Sequence, residues 1–249
     1  MKPPIYEPKG KAKEYGDLAI NIYTGCPHRC YYCFAPGVLH RDKETFHSHV
    51  EPRPGIIEAV RKQLDTEQIT GKTVHLCFTC DPYPTGYDSA ATREVIKLLK
   101  EAGNHVQILT KGDGSRDFDL LDGEDWYGIT VSSFAQKDIM TENGIMPRCP
   151  YEPRAINPYA RIAAAEEAKR RGVKTWISLE PVVDADVLET FACFSTAFDK
   201  VKIGKLNYHP SDIDWAAFGK KAEALFSYMG LDYYIKDSLR AEMNRKENA

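Results

Sequence analysis

The chain has no run of about 18 consecutive apolar residues, the length a membrane-spanning helix needs, so no membrane span is expected in it. No apolar stretch follows the charges of Met1-Lys2-Pro3-Pro4, so no secretory signal peptide is expected there. An excess of either charge is also lacking: 33 basic against 36 acidic residues leave a net charge of −3. Such a balance exerts no global pull toward nucleic acid or an anionic membrane, although a local basic groove stays compatible with it. No repeat and no low-complexity tract appears. These absences leave a globular protein expected in the cytoplasm. Its seven cysteines, an odd number, argue in that compartment for metal or redox chemistry rather than a disulfide framework.

What is present is an alternation of short β-rich runs with helical periods. Strands are expected at 18–24, 73–79, 105–110, 127–133, 173–179 and 200–204. Helices are expected at 56–68, where Ile56, Ile57, Val60 and Leu64 share a face, and at 90–102, 158–171, 185–194 and 215–229. A short helix near 118–121, a last strand at 232–235 and a final helix at 238–245 complete the pattern. Strands alternating with helices imply βαβ crossovers and a parallel sheet. The expected fold is α/β: a partial (β/α)6 TIM-type barrel of parallel strands, with a doubly wound open sheet as the alternative. Residues 1–17 form a short N-terminal arm, 18–210 the core, and 211–249 a C-terminal helical extension packed on it. In either architecture the chemistry belongs at the C-terminal ends of the strands.

The segment GCPHRCYYCF, Gly25–Phe34, directly follows the first strand. Cys26, Cys30 and Cys33 lie there with three and then two residues between them, so three thiolates share one loop at the active face. A [4Fe–4S] cluster normally takes four cysteines. The next cysteine, Cys77, is on another element, which leaves one iron open to a small molecule. The alternatives are a zinc site, which favours two C-x2-C knuckles or mixed cysteine and histidine ligands, and a non-catalytic iron–sulfur module. Cys77 and Cys80 form a second C-x2-C, but strand alternation places them on opposite faces.

A C-x3-C-x2-C loop with an aromatic residue, Tyr32, before its last cysteine resembles the radical S-adenosylmethionine (SAM) superfamily. From about Asn21 to Asn207 the chain is similar to the spore photoproduct lyase-like branch. The shared pieces are TCDPY (Thr79–Tyr83), LTK (Leu109–Lys111), GITVSS (Gly128–Ser133), YEPRAINPYARIAAAEEAKRRGV (Tyr151–Val173) and SLEPV (Ser178–Val182), in that order. The resemblance implies two cofactors: the cluster, held by Cys26, Cys30 and Cys33, and SAM, bound and reductively cleaved to a 5′-deoxyadenosyl radical. It also implies a one-electron donor such as flavodoxin or ferredoxin.

By the same resemblance Tyr32 and Phe34 pack near the adenine, and Thr79 and Asp81 lie where methionyl contacts are often placed. Lys111 ends the third strand, where its point charge suits the SAM carboxylate. Thr130 and Ser132 alternate on the fourth strand and offer hydroxyls to the ribose or methionyl group. Glu180, at the end of the fifth strand, is a candidate for substrate or SAM contact, because similar proteins carry a small apolar residue before this proline. Lys205 and Asn207, and Tyr83, Tyr87 and Asp88 on the second βα loop, are further candidates for the cavity rim.

The chain departs from spore photoproduct lyases at Phe78, which stands where they carry a cysteine hydrogen donor. Cys80, two residues on, is the thiol nearest to taking that role and so a candidate catalytic residue. The chain is short for such a lyase and shows no basic run. The substrate is therefore left open, with nucleic acid among the candidates.

Overall fold

Apolar strands that must bury both faces form a parallel sheet covered by helices. A computed structural model describes residues 3–141 and 144–245. Met1 and Lys2 of the expected arm, and residues 246–249 of the expected extension, lie outside the described residues. The elements in chain order are β1 (Ile5–Tyr6), β2 (Leu18–Ile20), α1 (Ala35–Val38), α2 (Lys43–Ser48), α3 (Ile56–Glu67), β3 (Thr73–Leu76), α4 (Ala90–Glu101), β4 (His105–Thr110) and β5 (Trp126–Thr130). They continue with β6 (Lys137–Thr141), β7 (Gly144–Arg148), α5 (Pro158–Arg170), β8 (Lys174–Val182), α6 (Val187–Ala192), β9 (Lys200–Lys205), α7 (Trp215–Tyr228), β10 (Asp232–Ile235) and α8 (Asp237–Met243). Short 3-10 helices at Gly10–Glu14, Ser115–Leu120 and Ser195–Ala197 fill the connections.

The main sheet has the order β1-β2-β3-β4-β5-β8-β9-β10. It is parallel from β2 to β10, and only β1 runs antiparallel, beside β2. The first six expected strands are present, with helices between them, and so is the expected last strand at 232–235. Strand β10 pairs with β9 from Asp232↔Lys200 to Ile235↔Ile203. The helix and strand expected at 215–229 and 232–235 thus form one more α-β unit of the sheet, because α7 returns the chain and the β-forming run Tyr233-Tyr234-Ile235 completes an edge.

Local chemistry sets the boundaries. Asn157 caps α5 by accepting from Tyr159 N, with Pro158 at the first helical position, and Asp214 caps α7 by accepting from Ala216 N and Ala217 N. Strand β4 alternates: Val106 and Ile108 are buried in the apolar core, while Gln107 faces the concave side toward Tyr15. Gly128 leaves the space that the Trp176 indole occupies, and that indole donates to Ile108 O at 2.9 Å. Regular structure in β2 stops at Ile20, short of the expected Thr24, because the Asn21 side chain turns to accept from Phe78 N and Thr79 N, both at 2.8 Å.

The β6–β7 hairpin was not anticipated. Tyr15, which precedes β2, shows that the sheet curls. Its ring lies near His75 of β3, Trp176 of β8, Lys202 of β9 and Lys236 just after β10. One side chain can meet strands near both edges only on the concave face of a partial barrel. Among the described residues no helix is long and apolar enough to cross a membrane.

Candidate active site

The cysteine loop leaves β2 and is folded tightly against α2. A Cβ on Gly25 would collide with the carbonyls of Phe46 and His49, so only glycine admits this approach. Cys26 N donates to Phe46 O at 3.2 Å, and His47 Nδ1 donates to Cys26 O at 2.7 Å. Arg29 takes a left-handed φ of 54° and Cys33 N donates to Cys30 O at 3.1 Å, which turns the loop so that all three cysteines belong to it. The three thiols are free, and burial pushes each one up, Cys30 to about 12. Deprotonation therefore has to accompany metal binding.

His28, the one histidine inside the loop, is committed. Thr85 N donates to its Nε2 at 3.2 Å, which places the proton on Nδ1, 3.4 Å from Asp81 Oδ2. Burial lowers it to about 4, so the ring is neutral. With both nitrogens used, it splints the loop and is not poised as a metal ligand.

Asp81 ties three elements together. It accepts from Thr110 Oγ1 at 2.5 Å, Lys111 N at 2.8 Å and Tyr83 N at 2.9 Å, and faces His28. The carboxylate expected to contact SAM is thus spent on joining the end of β3, the end of β4 and the cysteine loop. Thr79, between β3 and Asp81, keeps its buried Oγ1 without a hydrogen-bond partner among the described residues. Phe78 packs its ring on His75, centroids 4.3 Å apart.

The opposite-face expectation for Cys77 and Cys80 fails. Cys77 has φ 71°, a left-handed residue that ends β3 and breaks its alternation. The two thiols are neighbours. Burial pushes Cys77 well up; at Cys80 burial opposes the thiolate, but hydrogen bonds from Cys77 and Tyr23 N outweigh it and hold its pKa down. Tyr23 N donates to Cys80 Sγ at 3.4 Å.

Lys111 follows β4 and extends its Nζ to 5.6 Å from the Tyr32 ring centroid. Burial opposes its charge, but Cys30 and Glu152 outweigh burial and raise its pKa. Among the described residues this ammonium forms no ion pair within 4.0 Å. Gly112 beside it has no room for a Cβ, which would strike Tyr83 O.

The residues missed in the sequence are Glu152 and Arg161. Arg161 Nη2 meets Glu152 Oε2 at 2.5 Å with both side chains fully buried. Arg161 also donates to Ile156 O at 2.7 Å and Thr130 O at 2.5 Å, while Glu152 accepts from Tyr32 OH and from Ser132 Oγ at 2.9 Å. Tyr32, Thr130, Ser132 and Lys111 are thereby gathered around one ion pair. Its sequence signal was a Glu and an Arg nine positions apart, both within the Tyr151–Val173 segment.

Glu180 lies elsewhere, accepting from Tyr15 OH with Lys236 Nζ 3.3 Å away. Phe34 is 54% exposed at the start of α1 and does not pack in the core. Lys205 pairs with Glu242, Asn207 accepts from Lys11, and Tyr83 OH donates to Asp117, so these rim candidates are occupied structurally. A cavity of about 760 Å³ opens between Tyr31 of the cysteine loop, Tyr151, and Asp184, Asp186, Asp212 and Asp214 of the loops after β8 and β9.

The model of the radical SAM superfamily matches residues 20–187. The chain belongs to the radical SAM superfamily. Relatives of this radical SAM chain include the uncharacterized protein ORF301 of Acidianus two-tailed virus, 28% identical over 73% of this chain and 64% of that one. Another is the uncharacterized protein Rv2578c of Mycobacterium tuberculosis, 28% identical over 66% of this chain and 49% of that one. The chain thus spans less than two thirds of these relatives' length. Among solved structures, a spore photoproduct lyase mutant with dinucleoside spore photoproduct superimposes with a TM-score of 0.62 at 13% identity, over 91% of this chain and 78% of that one. Streptococcus suis SuiB bound to SAM does so with a TM-score of 0.58 at 12% identity, over 87% and 46%. At such identities the likeness is one of fold.

The superfamily implies a [4Fe–4S] cluster and SAM, and the residues present fit both. Three free thiols on one loop, with its histidine committed elsewhere, are a donor set that leaves one cubane corner open. The orphaned Thr79 Oγ1 and the Lys111 ammonium, which has no ion-pair partner among the described residues, offer a donor and a positive charge beside that loop.

Proposed function

We propose that this radical SAM enzyme holds a [4Fe–4S] cluster on Cys26, Cys30 and Cys33 and abstracts hydrogen from a substrate admitted at the C-terminal mouth of the barrel. When bound on these thiols and reduced by a flavodoxin or ferredoxin, the cluster would supply the one-electron chemistry that cleaves SAM to methionine and a 5′-deoxyadenosyl radical. The observation that carries this reading is the half-buried Lys111 ammonium, which feels the negative field of Cys30 and Glu152 but forms no ion pair within 4.0 Å among the described residues. A cation in that setting neutralises an incoming carboxylate such as that of SAM.

The remaining roles follow from contacts. Thr79 Oγ1 gains a polar partner when SAM binds. Asp81 and His28 lock Lys111 and the cysteine loop to the end of β3, so the point charge and the thiols keep one spacing. The Glu152–Arg161 pair orients Tyr32 and Ser132, and Thr130 closes the same wall. Burial of these groups excludes water, which a carbon radical needs for a selective reaction.

The cavity of about 760 Å³ beside Tyr31 is of small-molecule size. Its lining holds Asp184, Asp186, Glu189, Asp212 and Asp214 against Lys221 alone, which disfavours a polyanion. We therefore favour a small molecule over nucleic acid as substrate, in the cytoplasm. The test is anaerobic reconstitution followed by dithionite and SAM, with 5′-deoxyadenosine measured by chromatography. Its appearance only with the cluster present is expected; its absence from a fully loaded enzyme rejects the proposal.

A further inference from the structure

Residues 10–15 of the N-terminal arm close the barrel from within. They follow β1, at one edge of the sheet, yet bond to strands at the other. Lys236 Nζ, just past β10, donates to Lys11 O at 3.3 Å, and Lys202 Nζ of β9 donates to Glu14 O at 2.8 Å. The Glu14 carboxylate accepts from Tyr234 OH at 3.0 Å and Asp237 N at 3.2 Å. On the other side Gln107 Nε2 of β4 donates to Tyr15 O at 2.9 Å.

The half-buried Tyr15 side chain is held from several sides. Its ring is flanked by His75, Phe78 and Trp176 at centroid distances of 5.5, 5.7 and 6.0 Å. The ammonium groups of Lys236 and Lys202 stand 4.0 and 4.6 Å from its centroid, the geometry of cation–π attraction. Its hydroxyl donates to Glu180 and lies 3.4 Å from Ser178 Oγ.

Position gives this ring a further task. A second cavity, of about 350 Å³, opens behind the barrel, where Leu18, Thr73 and Trp126 begin β2, β3 and β5. Tyr15 lines that cavity, together with His75 and Gln107. Its hydroxyl meanwhile reaches Glu180, near the C-terminal end of β8. The same side chain thus stands between the rear cavity and the front half of the barrel.

We propose that Tyr15 is the rear wall of the reaction chamber, a ring that keeps solvent-borne hydrogen donors in the rear cavity away from the radical at the front. The proposal rests on the radical SAM reading above. A thiol that reached a 5′-deoxyadenosyl radical would break its S–H bond, form a C–H bond at the 5′ carbon and leave as a thiyl radical.

The test uses reconstituted enzyme in deuterium oxide with dithiothreitol, dithionite and SAM, and reads deuterium in 5′-deoxyadenosine by mass spectrometry. Tyr15→Ala should raise deuterium content several-fold over the parent, and Tyr15→Phe should stay near the parent. Independently of turnover, Tyr15→Ala should bind one p-cresol per chain by calorimetry, more tightly than toluene, because only the cresol hydroxyl meets Glu180 and Ser178. If Tyr15→Ala does not fold, Tyr15→Leu carries the same comparison. Equal deuterium in parent and variants overturns the wall. So does a folded Tyr15→Ala that binds no p-cresol. No 5′-deoxyadenosine from the loaded parent rejects the radical SAM reading instead, and the p-cresol result then still judges the surroundings of the Tyr15 ring.

Discussion

Arg161 and Glu152 form an ion pair at 2.5 Å with neither side chain exposed, and through it the cysteine loop, the end of β5 and the start of α5 are joined. Removing one partner strands the other charge in the interior, at a cost of about 3–5 kcal/mol. Arg161→Ala and Glu152→Ala should each lower stability by that order in urea titrations, whereas Glu152→Leu with Arg161→Met should lose much less. Burial resists ionisation of Glu152, but Arg161 and Lys111 outweigh it and hold its pKa below the usual value. A carboxylate depressed in the folded state stabilises above its unfolded pKa, and that contribution is lost as pH falls through the folded value. The loss of stability on acidification should be shallower in the double variant; an identical slope would remove Glu152 from the account.

Iron content discriminates the ligand cysteines. Reconstituted enzyme should hold about four irons per chain, as expected for one cubane cluster. Changing Cys26, Cys30 or Cys33 to Ala should empty the site. Changing Cys77, Cys80, Cys149 or Cys193 to Ala should leave iron unchanged. Loss of the cluster from Cys77→Ala or Cys80→Ala would contradict an open iron.

Lys111→Ala should spare the cluster and weaken SAM binding about ten- to hundredfold, the worth of a charge-assisted hydrogen bond of roughly 1.5–3 kcal/mol. Equilibrium dialysis of SAM against reconstituted enzyme measures it. An unchanged dissociation constant removes Lys111 from the SAM site.

Repair of spore photoproduct is not expected. Phe78 stands where the donor thiol is expected from the resemblance, its ring packed on His75 and near Tyr15. A phenyl C–H bond is too strong to be given up to a product radical. Cys80, the nearest substitute, has its sulfur engaged by Tyr23 N at 3.4 Å. Incubating loaded enzyme with dinucleoside photoproduct should restore no thymine; repair that disappears in Cys80→Ala would show that the donor had moved along the chain.

The cysteine loop was legible because its meaning is local: Cys26, Cys30 and Cys33 sit within eight residues, and their spacing alone brings them to one loop. The alternation of strands and helices was legible for a similar reason, since the periods of 2 and 3.6 residues report on neighbours along the chain. Contacts between distant segments left no such trace. Asp81 reads as a ligand in sequence, and only the approach of β4 and the cysteine loop shows its oxygens taken by Thr110, Lys111 and His28. Glu180 stands at the expected strand end, but the arm brings Tyr15 to it from 165 positions away. A left-handed φ at Cys77 overrides the strand alternation that would separate it from Cys80. The sequence by itself therefore determined the superfamily, the alternation of the core strands and helices, and the loop that carries Cys26, Cys30 and Cys33. Tertiary structure decided which polar groups are left free for a ligand, because a buried donor or acceptor is satisfied by whatever the fold brings within about 3 Å, at any sequence separation.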